Sequence, residues 1–165
     1  MSRIVVGVMG PGAGAKEEDV CAAYELGRLI AAEGWVLLTG GRAAGVMEAA
    51  TRGAREAGGL TVGVLPTEDA RGAATDADLL ILTGMGQARN NVNVLSSRAV
   101  VACGMGAGTA AEVALAVKAR RRVVLLNSTP EAERFFTSLA PDLVETAPDA
   151  ASALELLRRI VNGEA

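Results

Sequence analysis

The sequence predicts an α/β fold of the Rossmann kind, a doubly wound three-layer sandwich around a mostly parallel sheet of about seven strands. Short β-branched segments alternate with segments of helical period along the chain. Glycine-rich turns follow several of the predicted strands. Half of the 165 residues are hydrophobic but only 2% are aromatic, which favours helices packed closely on a parallel sheet.

The first part of the chain alternates strand and helix patterns. Residues 4–8 are rich in β-branched side chains and predict a strand, and residues 17–32 place Val20, Tyr24 and Ile30 at helical spacing. The same alternation predicts a strand at 35–38, a helix at 45–57 ended by Gly58-Gly59, and a strand at 60–65 stopped by Pro66.

The middle of the chain begins with a polar loop at 67–78, within which residues 69–74 predict a single helical turn. A short apolar strand is predicted at 79–82, and the turn from Gly84 to Arg89 opens onto a helix that ends near Ser97. The next elements are a fully apolar strand at 99–103 and, after another glycine turn, a helix at 109–120.

The last part repeats the alternation. Residues 122–126 predict a sixth strand, and residues 130–139 predict a helix with Pro130 in its first turn. The final elements are an edge strand at 143–145 and a helix at 149–161. Since no linker interrupts the pattern, we expect residues 1–165 to form a single Rossmann-like nucleotide- or phosphate-binding domain, with the ligand at the carboxyl ends of the strands.

Charge and aromatic content argue against a nucleic-acid partner. The chain has 16 basic and 19 acidic residues, a net charge of -3, and its longest basic run is Arg120-Arg121-Arg122. Its few aromatic residues are scattered and form no stacking surface. We expect a phosphorylated small molecule as partner, and neither nucleic acid nor membrane, because no apolar run approaches the ~20 residues that span a bilayer.

The cysteine and histidine content limits the chemistry and the compartment. Cys21 and Cys103 are too few for a disulfide framework, and with no signal segment before the first strand they indicate a cytoplasmic protein. The chain has no histidine, which removes the commonest general base and the commonest transition-metal ligand. We therefore expect no metal site, and any catalysis would use carboxylate, Arg, Lys or backbone groups.

Two glycine turns follow the first and second strands. In the first, at 9–15, Gly10 and Gly12 allow backbone N–H groups to approach an anion, although the glycines also fit a purely steric role. The second has glycines on both sides of the strand end: Gly40, Gly41 and Gly45. Glu48 lies in the next helical turn, where it either favours the helix dipole or faces the ribose or base of a ligand.

The turn at 103–112 carries the strongest indication of ligand binding. Its glycines occur at every second position: Gly104, Gly106 and Gly108. Thr109 and Glu112 have the spacing of a capping box. A cap does not need alternating glycines, whereas an anion bound by exposed N–H groups does, so we favour ligand contact by the glycines and Thr109.

A further turn at 84–91 brings a permanent positive charge to the same edge of the sheet. Its candidate ligand-binding residues are Met85, Gly86, Arg89 and Asn90. Arg89 either pairs with a surface acid or binds a phosphate with two parallel hydrogen bonds, and its position beside the glycine turns favours the phosphate.

These motifs together resemble the LOG-type Rossmann superfamily, whose members were once labelled lysine decarboxylases. The resemblance rests on residues 40–50, on Gly-Met-Gly-Gln-Ala-Arg-Asn at 84–90 and on residues 104–112, and it covers nearly the whole chain. The Gly-Met-Gly-x-Ala-Arg-Asn form and the short length are most similar to the branch that includes the molybdenum cofactor carrier proteins.

The resemblance implies two functions. In the carrier branch the chain would bind molybdenum cofactor by its phosphate and pterin. In the cytokinin-activating branch it would hydrolyse nucleoside 5'-monophosphates, with Arg89 and Glu112 in the catalytic roles. This sequence departs from the hydrolase motif at three positions: Asn90 for Lys, Gly104 for Pro and Met105 for Gly.

We favour a binding or carrier protein for a phosphorylated nucleotide-like or pterin ligand, with molybdenum cofactor or a nucleoside monophosphate bound and no cofactor required for catalysis. The alternative is the phosphoribohydrolase. Lysine decarboxylation is disfavoured because neither Lys16 nor Lys118 lies in a turn suited to a Schiff base. Apolar helix segments at 92–95 and 113–117 predict a homodimer or a higher homo-oligomer.

Overall fold

The computed structural model describes residues 3–164, and its strands form a single parallel sheet. This confirms the predicted fold class. The strands are β1 (Val5–Met9), β2 (Val36–Thr39), β3 (Thr61–Leu65), β4 (Leu79–Leu82), β5 (Ala99–Cys103), β6 (Arg122–Leu126) and β7 (Val144–Ala147). Every neighbouring pair is parallel, so the crossovers between strands require the helices that the sequence predicts.

Six α-helices and one short 3-10 turn connect the strands. The helices are α1 (Glu17–Ala32), α2 (Gly45–Glu56), α3 (Arg89–Ser96), α4 (Ala107–Lys118), α5 (Pro130–Leu139) and α6 (Ala150–Asn162). The 3-10 turn, Gly86–Ala88, leads directly into α3. Thr129 caps α5 and Asp149 caps α6 with side-chain oxygens that accept backbone N–H groups.

The strand order, β4-β3-β2-β1-β5-β6-β7, places the helices in two layers. Helices α1, α2 and α6 cover one face of the sheet, and α3, α4 and α5 cover the other. The chain builds outward from β1 to β4, then returns to the opposite side of β1 with β5. This reversal leaves a crevice above the carboxyl ends of β1 and β5, the place where open α/β sheets bind ligands.

The layer that contains α1 and α2 is packed through glycines. A Cβ atom at Gly27 would lie 2.2 Å from the carbonyl oxygen of Ala50, and one at Gly53 would lie 2.0 Å from the carbonyl oxygen of Tyr24. Backbone atoms cannot move away as a flexible side chain can. The two helices therefore approach more closely than any larger residue at these two positions would allow.

The predicted helical turn at 69–74 is wrong. This part of the loop instead extends along the second glycine turn, where Ala73 forms an antiparallel bridge with Arg42. The N–H of Ala74 donates to the carbonyl of Gly41 at 2.8 Å, and the N–H of Ala43 donates to the carbonyl of Gly72 at 2.9 Å. These long-range hydrogen bonds compete successfully with the weak local preference for helix.

Most apolar side chains of the two helix segments are buried or half-buried. Val94 and Val113 are fully buried in the core, and Leu95 is the large apolar side chain of these segments that is largely exposed. The edge strand β4 is instead exposed along its length, with Leu79 at 53% and Ile81 at 46%. Within residues 3–164 no helix is both long and apolar enough to cross a membrane.

Candidate functional site: a cavity at the strand-order reversal

A cavity of about 650 Å³ opens where the strand order reverses. Four turns that follow strands contribute its wall, together with Pro66. From the end of β1, the turns after β1 and β2 and the start of α2 come Met9, Gly10, Pro11, Gly12, Ala13, Gly40, Arg42 and Met47. From the turns after β4 and β5 and the starts of α3 and α4 come Gly86, Gln87, Arg89, Asn90, Gly106, Ala107, Gly108, Thr109, Ala111 and Glu112. The volume lies within the range of small-molecule sites.

The first two glycine turns are packed against each other. The N–H of Val46 donates to the carbonyl of Pro11 at 3.0 Å. Gly45 has a φ of +53°, and a Cβ atom there would lie 2.5 Å from that same carbonyl. Any other residue at 45 would be strained and would push the two turns apart. Gly45 therefore fixes the shape of the cavity wall without lining it.

The amino terminus of α4 faces the cavity. Gly106 is the N-cap residue and supplies no side-chain cap, so Ala107, Gly108 and Thr109 carry N–H groups with no acceptor inside the helix. The first backbone hydrogen bond of α4 is donated by the Ala110 N–H to the Gly106 carbonyl at 2.8 Å. A Cβ atom at Gly108 would point into open space. Free amides and a positive dipole end at a cavity are a general arrangement for anion binding.

The capping box, the alternative to ligand contact at this turn, does not form. Thr109 and Glu112 both lie inside α4, which begins two residues earlier than predicted, and both are buried. Gly106, not Thr109, is the N-cap residue, and it has the extended conformation of that position. Glu112 therefore reaches the cavity from the second turn of the helix instead of folding back on the helix start.

Arg89 is almost completely buried at the wall of the cavity. Its side chain is 8% exposed and passes over Gly40, where a Cβ atom would lie 2.3 Å from the guanidinium Nη1. Gly40 therefore makes room for the guanidinium. The Nε of Arg89 has no hydrogen-bond partner. Burial lowers the pKa of Arg89, but an arginine remains charged, so the site holds a desolvated cation with free donor capacity.

Glu112 is the buried acid of the site. It is 7% exposed, and its Oε1 accepts a hydrogen bond from the Asn93 Nδ2 at 3.2 Å. Burial raises the pKa of Glu112 to about 7, against the opposing effects of Asn93 and Arg89. Within residues 3–164 no ion pair of 4 Å or less joins Arg89 to Glu112. Their polar atoms thus keep capacity for a ligand.

The structure brings most of the predicted site residues to one cavity. Those that line it are Gly10, Gly12, Gly40, Gly86, Arg89, Asn90, Gly106, Gly108, Thr109 and Glu112. Those outside the lining are Gly41, Gly45, Glu48, Met85 and Gly104. Glu48 lies on the exposed side of α2. Gly41 and Gly104 serve turns at positive φ, and the Asp19 carboxylate occupies the space where a Cβ atom of Gly104 would lie.

Two side chains have roles that the sequence did not indicate. Arg42 follows the paired glycines and lines the cavity. A cation directly after a glycine turn was the feature of the sequence that could have predicted this role. Met105, the departure from the hydrolase motif, packs on the apolar core beneath the sheet and does not enter the cavity. Among residues 3–164 no three His, Cys, Asp or Glu side chains are grouped to hold a metal ion.

The sequence model of the SLOG cluster4 family matches residues 3–154, which include all four turns of the cavity. The chain belongs to the SLOG cluster4 family. This confirms the resemblance to the LOG-type superfamily. An uncharacterized protein of Archaeoglobus fulgidus is 44% identical over 127 residues, which are 76% of this chain and 82% of the relative.

Solved structures of similar proteins place this family member beside the cofactor carriers. The molybdenum cofactor binding protein from Rippkaea orientalis is 48% identical, with a TM-score of 0.96 over 98% of this chain and 99% of that one. The molybdenum cofactor carrier protein from Chlamydomonas reinhardtii is 52% identical, with a TM-score of 0.93 and the same coverage. The predicted similarity to the carrier branch is thus confirmed.

Proposed function

We propose that this chain is a phosphate-binding domain that binds and carries molybdenum cofactor in the cavity at the strand-order reversal. The observation that carries the proposal is the similarity, over 98% of the chain, to two proteins named for binding or carrying this cofactor. The cofactor is cargo here. The chain's part is to bind it, orient it and limit its contact with water.

The chemistry of the cavity supports a phosphorylated ligand. The free amides at the start of α4 suit a phosphate, and the unpartnered Nε of the buried Arg89 leaves a cationic donor for an anionic group. Glu112 and Asn90 suit the hydrogen-bonding edge of a pterin or a base. We also propose a cytoplasmic location, which the free thiols of Cys21 and Cys103 support.

The decisive test is anaerobic titration of the purified protein with molybdenum cofactor released from a molybdoenzyme. We expect saturable binding of one cofactor per chain, and slower loss of cofactor to oxidation than in free solution. In parallel, the protein is incubated with AMP, and free base and ribose 5-phosphate are quantified. Release of base by the wild type but not by Glu112→Ala would contradict the carrier proposal and establish the hydrolase, since Arg89 and Glu112 both line the cavity.

We further propose that the chain forms a homo-oligomer in which a second copy covers β4. A parallel sheet is normally covered on both faces, yet Leu79 and Ile81 on one face of β4 and Leu80 and Leu82 on the other are all exposed. An open edge strand with four apolar side chains pairs readily with another chain. A second copy that covers both faces and the edge of β4 would bury the four apolar side chains and pair the free backbone groups of the strand.

Sedimentation of variants tests this surface. Ile81→Lys is expected to shift the protein to the mass of a monomer, because a charge on an exposed edge strand opposes pairing. Leu95→Lys is the matched control, since Leu95 is also half exposed but lies on α3, in the segment where the sequence predicted the contact. Dissociation by Leu95→Lys with no effect of Ile81→Lys would contradict an interface at β4 and favour the helices.

A further inference from the structure

Arg42 is a second cation of the cavity, and its backbone is held in place. It follows the paired glycines after β2 and forms an antiparallel bridge with Ala73. Hydrogen bonds on either side of this bridge, from Ala74 to Gly41 and from Ala43 to Gly72, are 2.8 and 2.9 Å long. The turn that carries the Arg42 side chain is therefore held by hydrogen bonds to residues 72–74.

Arg42 and Arg89 lie at the same end of the cavity. The Arg89 guanidinium passes over Gly40 at the end of β2, and Arg42 is two residues further along the chain. Burial lowers the pKa of Arg89, Glu112 opposes this effect, and the positive charge of Arg42 adds to it. Within residues 3–164 no carboxylate lies within 4 Å of the Arg42 guanidinium. An anion between the two arginines would relieve their repulsion.

The amino terminus of α4 lies at a different end. It follows β5, whereas the arginines lie over the end of β2, and β1 separates these two strands in the sheet. The ends of β2 and β5 are two interstrand spacings, about 10 Å, apart. A phosphate group is much smaller than this distance, so we treat the α4 amides and the two arginines as two sets of donors, both of which face the cavity.

We infer that the cavity binds a ligand with two anionic groups about 10 Å apart, a phosphate at the α4 amino terminus and a second anionic group between Arg42 and Arg89. This inference rests on the proposed function and deepens it. A phosphorylated pterin whose metal centre carries oxo and thiolate groups has a second anionic centre of this kind. Arg42 then determines the orientation in which such a ligand enters.

Linear bisphosphonates of increasing length test the spacing without the cofactor. Calorimetric titration compares methylphosphonate, methylenebisphosphonate and hexamethylenebisphosphonate. We expect the hexamethylene compound to bind about 10-fold more tightly than methylphosphonate, because only it spans both ends. Arg42→Gln should abolish this gain and cause a much smaller loss of methylphosphonate affinity, because the α4 amides still bind a single phosphonate group. Arg98→Gln is the control, since it removes one exposed arginine from the opposite, amino-terminal edge of the sheet.

Each outcome decides a separate point. Methylphosphonate binding with no gain from length, or an equal gain in Arg42→Gln, would overturn the second anionic end and leave the phosphate site standing. A gain lost equally in Arg98→Gln would overturn it as well, because the effect would then come from net charge. Failure of every phosphonate to bind would overturn the proposed phosphate site together with this inference.

Discussion

Replacing Gly108 by aspartate is expected to weaken phosphate and cofactor binding by more than about 100-fold while leaving the fold at least as stable. Gly108 is the second residue of α4, and a Cβ atom there meets no other atom within 4 Å. A carboxylate at this position takes the place of the ligand's anion at the helix amino terminus. Two like charges about 4 Å apart near a protein surface repel by about 4 kcal/mol, and about 3 kcal/mol is already a 100-fold change in affinity.

The stability of the same variant should move in the opposite direction. An acidic residue in the first turn of a helix interacts favourably with the helix dipole by about 0.5 kcal/mol. Gly108→Asp should therefore unfold at the same or a slightly higher temperature than the wild type, which separates loss of binding from loss of structure. Gly108→Asn is the matched control, because it has the same shape without the charge. Equal loss of binding in both variants would show that the ligand needs the space beside Gly108, and that the added charge is not the cause of the loss.

The sequence predicted the elements well where local signals are strong. Observed bounds match the predictions at Leu79–Leu82, Arg122–Leu126 and Pro130–Leu139, where turn residues or prolines mark the ends. Prediction was weaker where the backbone alone defines the end. The start of α4 was placed at Thr109, the residue there whose side chain could cap a helix, whereas Gly106 is the N-cap and has no side chain.

The site was predictable at the level of turns but not of side chains. Parallel strands present their carboxyl ends at one edge, so glycine turns after β1, β2 and β5 had to lie together. Whether Glu48 or Arg42 enters the cavity depends on the path of the chain between β2 and α2. That path is set by Gly41 at positive φ and by hydrogen bonds to residues 72–74, which one sequence does not reveal.

Glu112→Gln is expected to stabilise the protein at pH 8 by about 3 kcal/mol and to have little effect at pH 4.5. The carboxyl of Glu112 has an ordinary pKa of 4.5, and burial raises its pKa to about 7 in the folded protein. The folded state therefore holds the proton more tightly than the unfolded state. The wild-type free energy of unfolding should fall as the pH rises from 4.5 to 7 and level off above it.

Glutamine keeps the oxygen that accepts from Asn93 but cannot ionise, so the variant should lack this part of the pH dependence. Urea unfolding at several pH values measures the difference. Glu48→Gln serves as the control, because it makes the same substitution at an exposed position of α2 and should not stabilise the protein at pH 8. A Glu112→Gln profile parallel to the wild type would contradict a buried, ionising carboxyl at this site.

The same titration predicts how binding depends on pH. A carboxylate at the cavity wall repels an anionic ligand, whereas the neutral acid can donate a hydrogen bond to it. Affinity for the cofactor should therefore decrease in the wild type as the pH rises through 7, and this decrease should be absent in Glu112→Gln. Glu112 lowers stability at pH 8 relative to glutamine, and an action of its ionisable group on the ligand explains why an acid is present here. A wild-type affinity that does not change with pH would contradict that explanation.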